Sequence, residues 1–229
     1  MYFPYFDPTY LLVIPGLILG LWAQAKVKST YHKYSRIPTG RGQSAAQVVG
    51  RLLAQEGAGH VQISRTRGTL TDHYDPRTNT LRLSEGVYDS ASVAALGIAA
   101  HEAGHALQKQ ENYPFLALRS MMVPVVNIGS HLAWPIFVLG IIVSWPPLMT
   151  AGIVLFGLVV LFSLITLPVE FNASRRAMQM LTSCGHLTQA EEEGARKVLN
   201  AAAMTYVASF VSAALQLLRL VALANRRRD

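Results

Sequence analysis

The residues in this chain best placed for chemistry are His101-Glu102-Ala103-Gly104-His105. Residues four apart share one face of a helix, so a helical 101–105 presents two imidazoles side by side. Both can then reach one zinc ion at about 2.0–2.1 Å. Glu102 lies one position round, where it need not be a ligand and is placed to hold a metal-bound water. Zinc lowers the pKa of such a water to about 7, and a neighbouring carboxylate can take its proton as the oxygen attacks a carbonyl. The chain has seven histidines, and its composition predicts on the order of 0.01 chance occurrences of this pattern. The motif therefore reads as a metallopeptidase helix.

The elements around the motif must position it. The run Ser92–Gln108 is rich in Ala and Leu, contains no Pro, and offers Ser90 or Ser92 as an N-cap, which predicts a helix. Gly104 costs that helix about 0.8–1.0 kcal/mol against Ala. A glycine there implies that something packs closely on that face. Ser44–Glu56 has helical periodicity and is stopped by Gly57 and Gly59. Residues 60–64 and 80–84 alternate like strands, and Asp72–Arg77 reads as a turn cluster between them. A strand just before a zinc helix could pair with an extended peptide or be a plain sheet edge.

A catalytic zinc site commonly has three protein ligands and an open position. The third ligand is open on residue types alone. Glu170 follows a stretch from Ser120 to Val169 with no Asp, Glu, Lys or Arg, and stands beside Arg175 and Arg176. It reads as a ligand, or as the partner of one of those arginines in a salt bridge. His73, Asp72, Asp75 and Glu85 are the other candidates.

Composition sets the setting. The chain has 229 residues, with 51% hydrophobic and only 14% charged, which is poor in charge for a soluble protein. Its net charge of +7 is clustered beside apolar runs, which favours a membrane surface over nucleic acid as partner. A single cysteine, Cys184, excludes a disulfide framework and a cysteine-based zinc site. Tyr10–Ala25 reads as an uncleaved membrane anchor, and the basic residues from Lys26 to Arg41 put its C-terminal end in the cytosol. The charge-free stretch is too long for one span of about 20 residues and is broken at Trp145-Pro146-Pro147, so it reads as a hairpin of Met121–Ser144 and Leu148–Leu167. Ala201–Ala224 either spans or lies in the interface, and ends in Arg226–Arg228. The expected segments are 1–25 anchor, 26–119 cytosolic segment, 120–169 hairpin, 170–200 third-ligand helix, and 201–229 apolar helix with a basic tail.

AAHEAGHALQ, preceded by DHYDPRTNTLRLSEGVY and followed by the charge-free hairpin and LPVEFNASRRA, resembles the YugP-like neutral zinc metallopeptidases of bacterial membranes. The likeness covers nearly the whole chain. It implies a zincin-type site related to the HtpX and CAAX-protease group, with His101, His105 and Glu170 as zinc ligands and Glu102 as general base. Those relatives usually carry an Asp four residues after the ligand Glu, where this chain has Ser174 with Asn172 nearby. His73, Asn172, Ser174, Arg175, Arg176 and Tyr206 are the residues expected to support the ligands or the oxyanion. The fold expected is a mainly α membrane protein, with a small α+β zincin-type unit of the motif helix plus a short sheet, and three to four transmembrane helices.

The function expected is a membrane-embedded, zinc-dependent endopeptidase. It would sit in the bacterial inner membrane as a multi-pass protein with its site facing the cytoplasm. Its partners are protein or peptide substrates, membrane proteins among them, and the lipid bilayer, with no nucleic acid. The rival is a non-catalytic membrane partner or scaffold that keeps a zincin fold, although a purely structural zinc would need no Glu102.

Overall fold

The computed structural model describes residues 7–226. The chain falls into two compact units: one of Met1–Ala23, Leu118–Leu167 and Thr205–Asp229, the other of Gln24–Ala117 and Pro168–Met204. In order, a short 3-10 helix (Pro8–Leu12) precedes α1 (Ile14–Tyr34), α2 (Ala45–Gln55), β1 (Gln62–Thr66), β2 (His73–Asp75), β3 (Thr80–Ser84) and α3 (Glu85–Tyr88). Four long helices follow: α4 (Val93–Gln110), α5 (Pro114–Ile142), α6 (Pro146–Ser183) and α7 (Gln189–Asn225). The chain is a membrane protein in which four helical stretches, Pro8–Tyr34, Pro114–Ile142, Pro146–Ser183 and Gln189–Asn225, are long and apolar enough to cross a bilayer.

The second unit carries the motif. Its sheet has the order β1-β3-β2, with β1 parallel and β2 antiparallel to β3. The central strand buries Leu81 and Leu83 completely, and they join a core with Val48, Val49, Leu52 and Leu53 of α2 and the alanine face of α4. Ser92 caps α4 by accepting from Ala95 N, and Ser44 caps α2 in a box with Gln47. The start of α4 is also tied to residues 37–39, because Val93 N donates to Ile37 O and Thr39 N to Ala91 O. These bonds fix where the motif helix begins.

Three expectations are revised. Part of the Asp72–Arg77 cluster is strand β2, held open by Asp72, whose carboxylate accepts from the backbone N–H and the hydroxyl of Ser84. The tight turn is confined to Asp75–Asn79, where Asn79 has φ +48°. The first apolar helix runs well past Ala25, to Tyr34. Finally, α6 does not stop after the apolar run: it continues through Pro168 to Ser183, so Glu170 lies within a helix rather than at its end.

In the first unit, α5 and α6 form a hairpin whose turn is Val143–Trp145. Gly152 lets α6 approach closely, since a Cβ there would meet Phe137 Cβ at 2.7 Å. Near the two outer ends of α1 and α7, the guanidinium of Arg219 is buried over the Tyr10 ring at 3.8 Å, donates to Thr9 Oγ1, and lies 3.9 Å from Asp7 Oδ2. Arg226 also reaches Asp7, at 3.5 Å.

Candidate metal centre

His101 and His105 stand one turn apart on α4, and their rings meet edge to face with centroids 4.8 Å apart. Opposite them, α6 presents Glu170. Its Oε2 lies 3.3 Å from His101 Nε2 and 3.7 Å from His105 Nε2. These three residues are the group of metal-ligating side chains that the described residues bring together, with all ligand atoms within 4.8 Å of one another. The His101, His105 and Glu170 side chains keep only 14%, 12% and 3% of their exposure. The helices can come this close because Gly104, between the two histidines, lies directly on the main chain of Ala173.

The hydrogen bonds behind the group decide which nitrogens face inward. Gln108 is fully buried, and its Nε2 donates to Val169 O and to Asn172 Oδ1. A main-chain carbonyl can only accept, so the amide orientation is fixed. Gln108 Oε1 therefore faces His105 Nδ1 at 2.9 Å, and that nitrogen must carry the proton. The inward-facing Nε2 of neutral His105 is then an acceptor pointing at a carboxylate. Two acceptors in a buried site need a cation between them. In the metal-free form a proton serves: burial pushes the His105 imidazole down, but the Glu170 hydrogen bond and the Glu102 and Glu170 charges outweigh it and leave its pKa above the usual value. His101 Nδ1 lies 3.1 Å from Ser174 Oγ, a hydroxyl able to accept from that nitrogen or donate to it.

A zinc ion fits this donor set. Ligand bonds of about 2.0–2.1 Å in a tetrahedron separate donor atoms by about 3.3–3.4 Å. The observed 3.3 and 3.7 Å are close to that spacing. Two imidazole nitrogens and one carboxylate oxygen suit zinc and leave a fourth position open.

Glu102 is not one of the three grouped side chains, although its charge reaches His105. Its Oε2 accepts from Tyr74 N at 3.0 Å, so the sheet edge steadies the carboxylate beside the two imidazoles.

The remaining sequence candidates lie outside the three-residue group. Asp72 is bound to Ser84, and burial raises its pKa. Asp75 accepts from Arg77 N and Thr78 Oγ1 in the turn, and Glu85 is exposed at the start of α3. His73 is exposed beside Tyr74 on β2, with Nδ1 2.8 Å from Thr71 O. Asn172 and Arg176 form a relay: Arg176 Nε donates to Asn172 Oδ1, and its fork meets Glu111 at 2.6 and 2.7 Å. Arg175 is exposed on α6, and Tyr206 belongs to the other unit. Gln108 and the Tyr74 N–H were not anticipated. Gln108 had a readable signal, since it stands three residues after His105 on the same helix face.

Residues 9–225 match the family described as "Putative neutral zinc metallopeptidase". Over 218 residues the chain is 47% identical to the "Putative membrane protease YugP" of Bacillus subtilis (strain 168), covering 95% of this chain and 97% of that protein. No solved structure matches it. With the motif helix, the facing glutamate and a match along nearly its whole length, the chain belongs to the neutral zinc metallopeptidase family of membrane proteins.

Proposed function

We propose that this chain is a membrane-embedded endopeptidase that hydrolyses peptide bonds of protein substrates at the cytosolic face. In this reading His101, His105 and Glu170 hold zinc and Glu102 is the general base. The observation that carries it is the convergence of the three donor atoms on a buried point, with both histidine Nδ1 atoms engaged elsewhere. A bound zinc ion would supply a Lewis acid for the scissile carbonyl and lower the pKa of a water in its open position. The protein's part is orientation and proton transfer. Gln108 and Ser174 aim the imidazoles. Tyr74 N–H holds Glu102 where its carboxylate can take the proton of the attacking water and return it to the leaving amine. His73, which precedes Tyr74 on β2, is the side chain proposed to donate to the developing oxyanion.

The cytosolic orientation is supported by the basic residues Lys26, Lys28, Lys33, Arg36 and Arg41, which follow the apolar part of α1. The test compares purified wild-type protein with Glu102→Gln, measuring zinc per chain and cleavage of an unfolded protein. Cleavage that is lost in the variant and abolished by a chelator, with zinc retained, supports the reading. Cleavage that persists in Glu102→Gln overturns it.

A further inference from the structure

The second unit contains a cavity of about 710 Å³ between α6 and α7, of ordinary size for a ligand site. Its lining includes Ser174, whose hydroxyl lies 3.1 Å from His101 Nδ1 behind the ligand group, and from there it continues along α6 to Ser183, about 14 Å at 1.5 Å per residue. That length takes about four residues of extended peptide. Met178 and Leu199 form buried parts of its lining, and Gln179 and Asn200 add amides able to bond a peptide backbone on either of its polar groups.

Its charge is what identifies an occupant. Arg175 and Arg196 both line the cavity, and among the described residues neither has an ion pair or a hydrogen bond. The neighbouring Arg176, by contrast, is satisfied by Glu111. Glu56 is the single carboxylate on the lining. Two guanidiniums without partners, flanked by amides and hydroxyls in a groove that passes Ser174 behind His101, complement an extended segment carrying an acidic side chain.

We propose that this groove is a substrate subsite selecting acidic residues within about four positions of the scissile bond, with Arg175 and Arg196 as its specificity-determining residues. The inference rests on the peptidase reading for its role in cleavage, but the binding it requires can be measured without chemistry.

The first measurement uses full-length Glu102→Gln protein and a fluorescein-labelled ten-residue peptide with two glutamates, against twins carrying glutamine or lysine at those positions. Fluorescence anisotropy should show the acidic peptide binding about tenfold or more tightly than the glutamine twin. Adding R175E and R196E should remove that preference and favour the lysine twin, with zinc content unchanged as the control for folding. The milder R175Q and R196Q pair should bind all three peptides alike. Equal binding of the acidic and neutral peptides overturns the proposal. So does an acidic preference that survives the reversal, or a reversal that strips anionic phospholipid from the protein while peptide binding stays the same.

The second measurement incubates wild-type protein with a proteome-derived peptide library and maps the cut sites. Acidic residues should be enriched on one side of the cut, and basic ones in the reversed variant. Cuts without acidic enrichment overturn the subsite. Absence of cutting alongside selective binding overturns the peptidase reading instead, and leaves the groove as an acidic-peptide site.

Discussion

Gly104 and Ala173 touch through their main chains: a methyl group on Gly104 would meet the Ala173 carbonyl oxygen at 2.5 Å. That contact sets the distance between the two helices that supply the ligand atoms, because Ala173 stands between Glu170 and Ser174 on α6. The helix-propensity cost of the glycine is the condition for the site's geometry.

Gly104→Ala should therefore destabilise the protein despite a propensity gain of about 1 kcal/mol. The obstacle is backbone rather than a movable side chain, and overpacking of this kind typically costs about 1–3 kcal/mol. Thermal unfolding should show a lower midpoint, and metal analysis should show less zinc per chain. An unchanged midpoint with full zinc would mean that α4 and α6 separate freely.

The two glutamates predict different losses. Glu102→Gln should keep close to one zinc per chain and lose activity by about 10²–10⁴-fold, the usual contribution of a positioned base. Glu170→Ala removes a ligand, so zinc occupancy and activity should fall together. Elemental analysis of the two variants decides, and full zinc in Glu170→Ala would reopen the search for the third ligand.

Gln108→Leu leaves His105 Nδ1 without an acceptor and Val169 O without its donor. Outer partners of this kind typically cost 10–100-fold in metal affinity when removed. A competition titration with a zinc chelator should show a loss in that range. Affinity equal to wild type would show that the tautomer is set without Gln108.

Proton and metal compete for His105. Its pKa in the metal-free protein is raised above 6.5, so below that raised value zinc binding must displace a proton from His105. Affinity should fall as pH drops through this range, with proton release visible by calorimetry in buffers of different ionisation enthalpy. For the metal-free protein the sign is opposite. The protonated His105–Glu170 pair contributes stability that is fully present below about 6.5 and is lost as pH rises through the folded value. Chelator-treated protein should unfold more easily at pH 8 than at pH 6.

A cysteine placed at Ser44, in a Cys184→Ser background, should resist a membrane-impermeant thiol reagent added outside intact cells and react after the membrane is opened. Labelling from outside would reverse the proposed orientation.

Much of the candidate site was legible because helix signals are local. Ser92, the alanine-rich run and the four-residue histidine spacing specify α4 without reference to the rest of the chain, and Gly104 announced a close neighbour. The strand β2 was not legible: three residues, two of them polar, carry little strand preference, and Asp72 acquires its role only through Ser84, twelve residues on. The continuation of α6 was hidden too. The sequence changes from apolar to polar at Glu170, which looks like a boundary, but the helix simply exchanges one environment for another. Gln108 lay on a readable face, yet an amide announces nothing until its acceptors are known.

The burial of Arg219 against Asp7, Thr9 and Tyr10 bears on the order of assembly. A guanidinium in a bilayer costs about 2.5–3.5 kcal/mol at the centre of a spanning helix, and less when a counter-ion is supplied nearby. The counter-ion here comes from the first described residue and the cation from the last helix, more than two hundred positions later in synthesis. The segment around Asp7 must therefore remain at hand until α7 emerges. A nascent chain lacking it would present its final apolar helix to the bilayer with an uncompensated charge, a cost borne in the membrane rather than at the chemistry of the site.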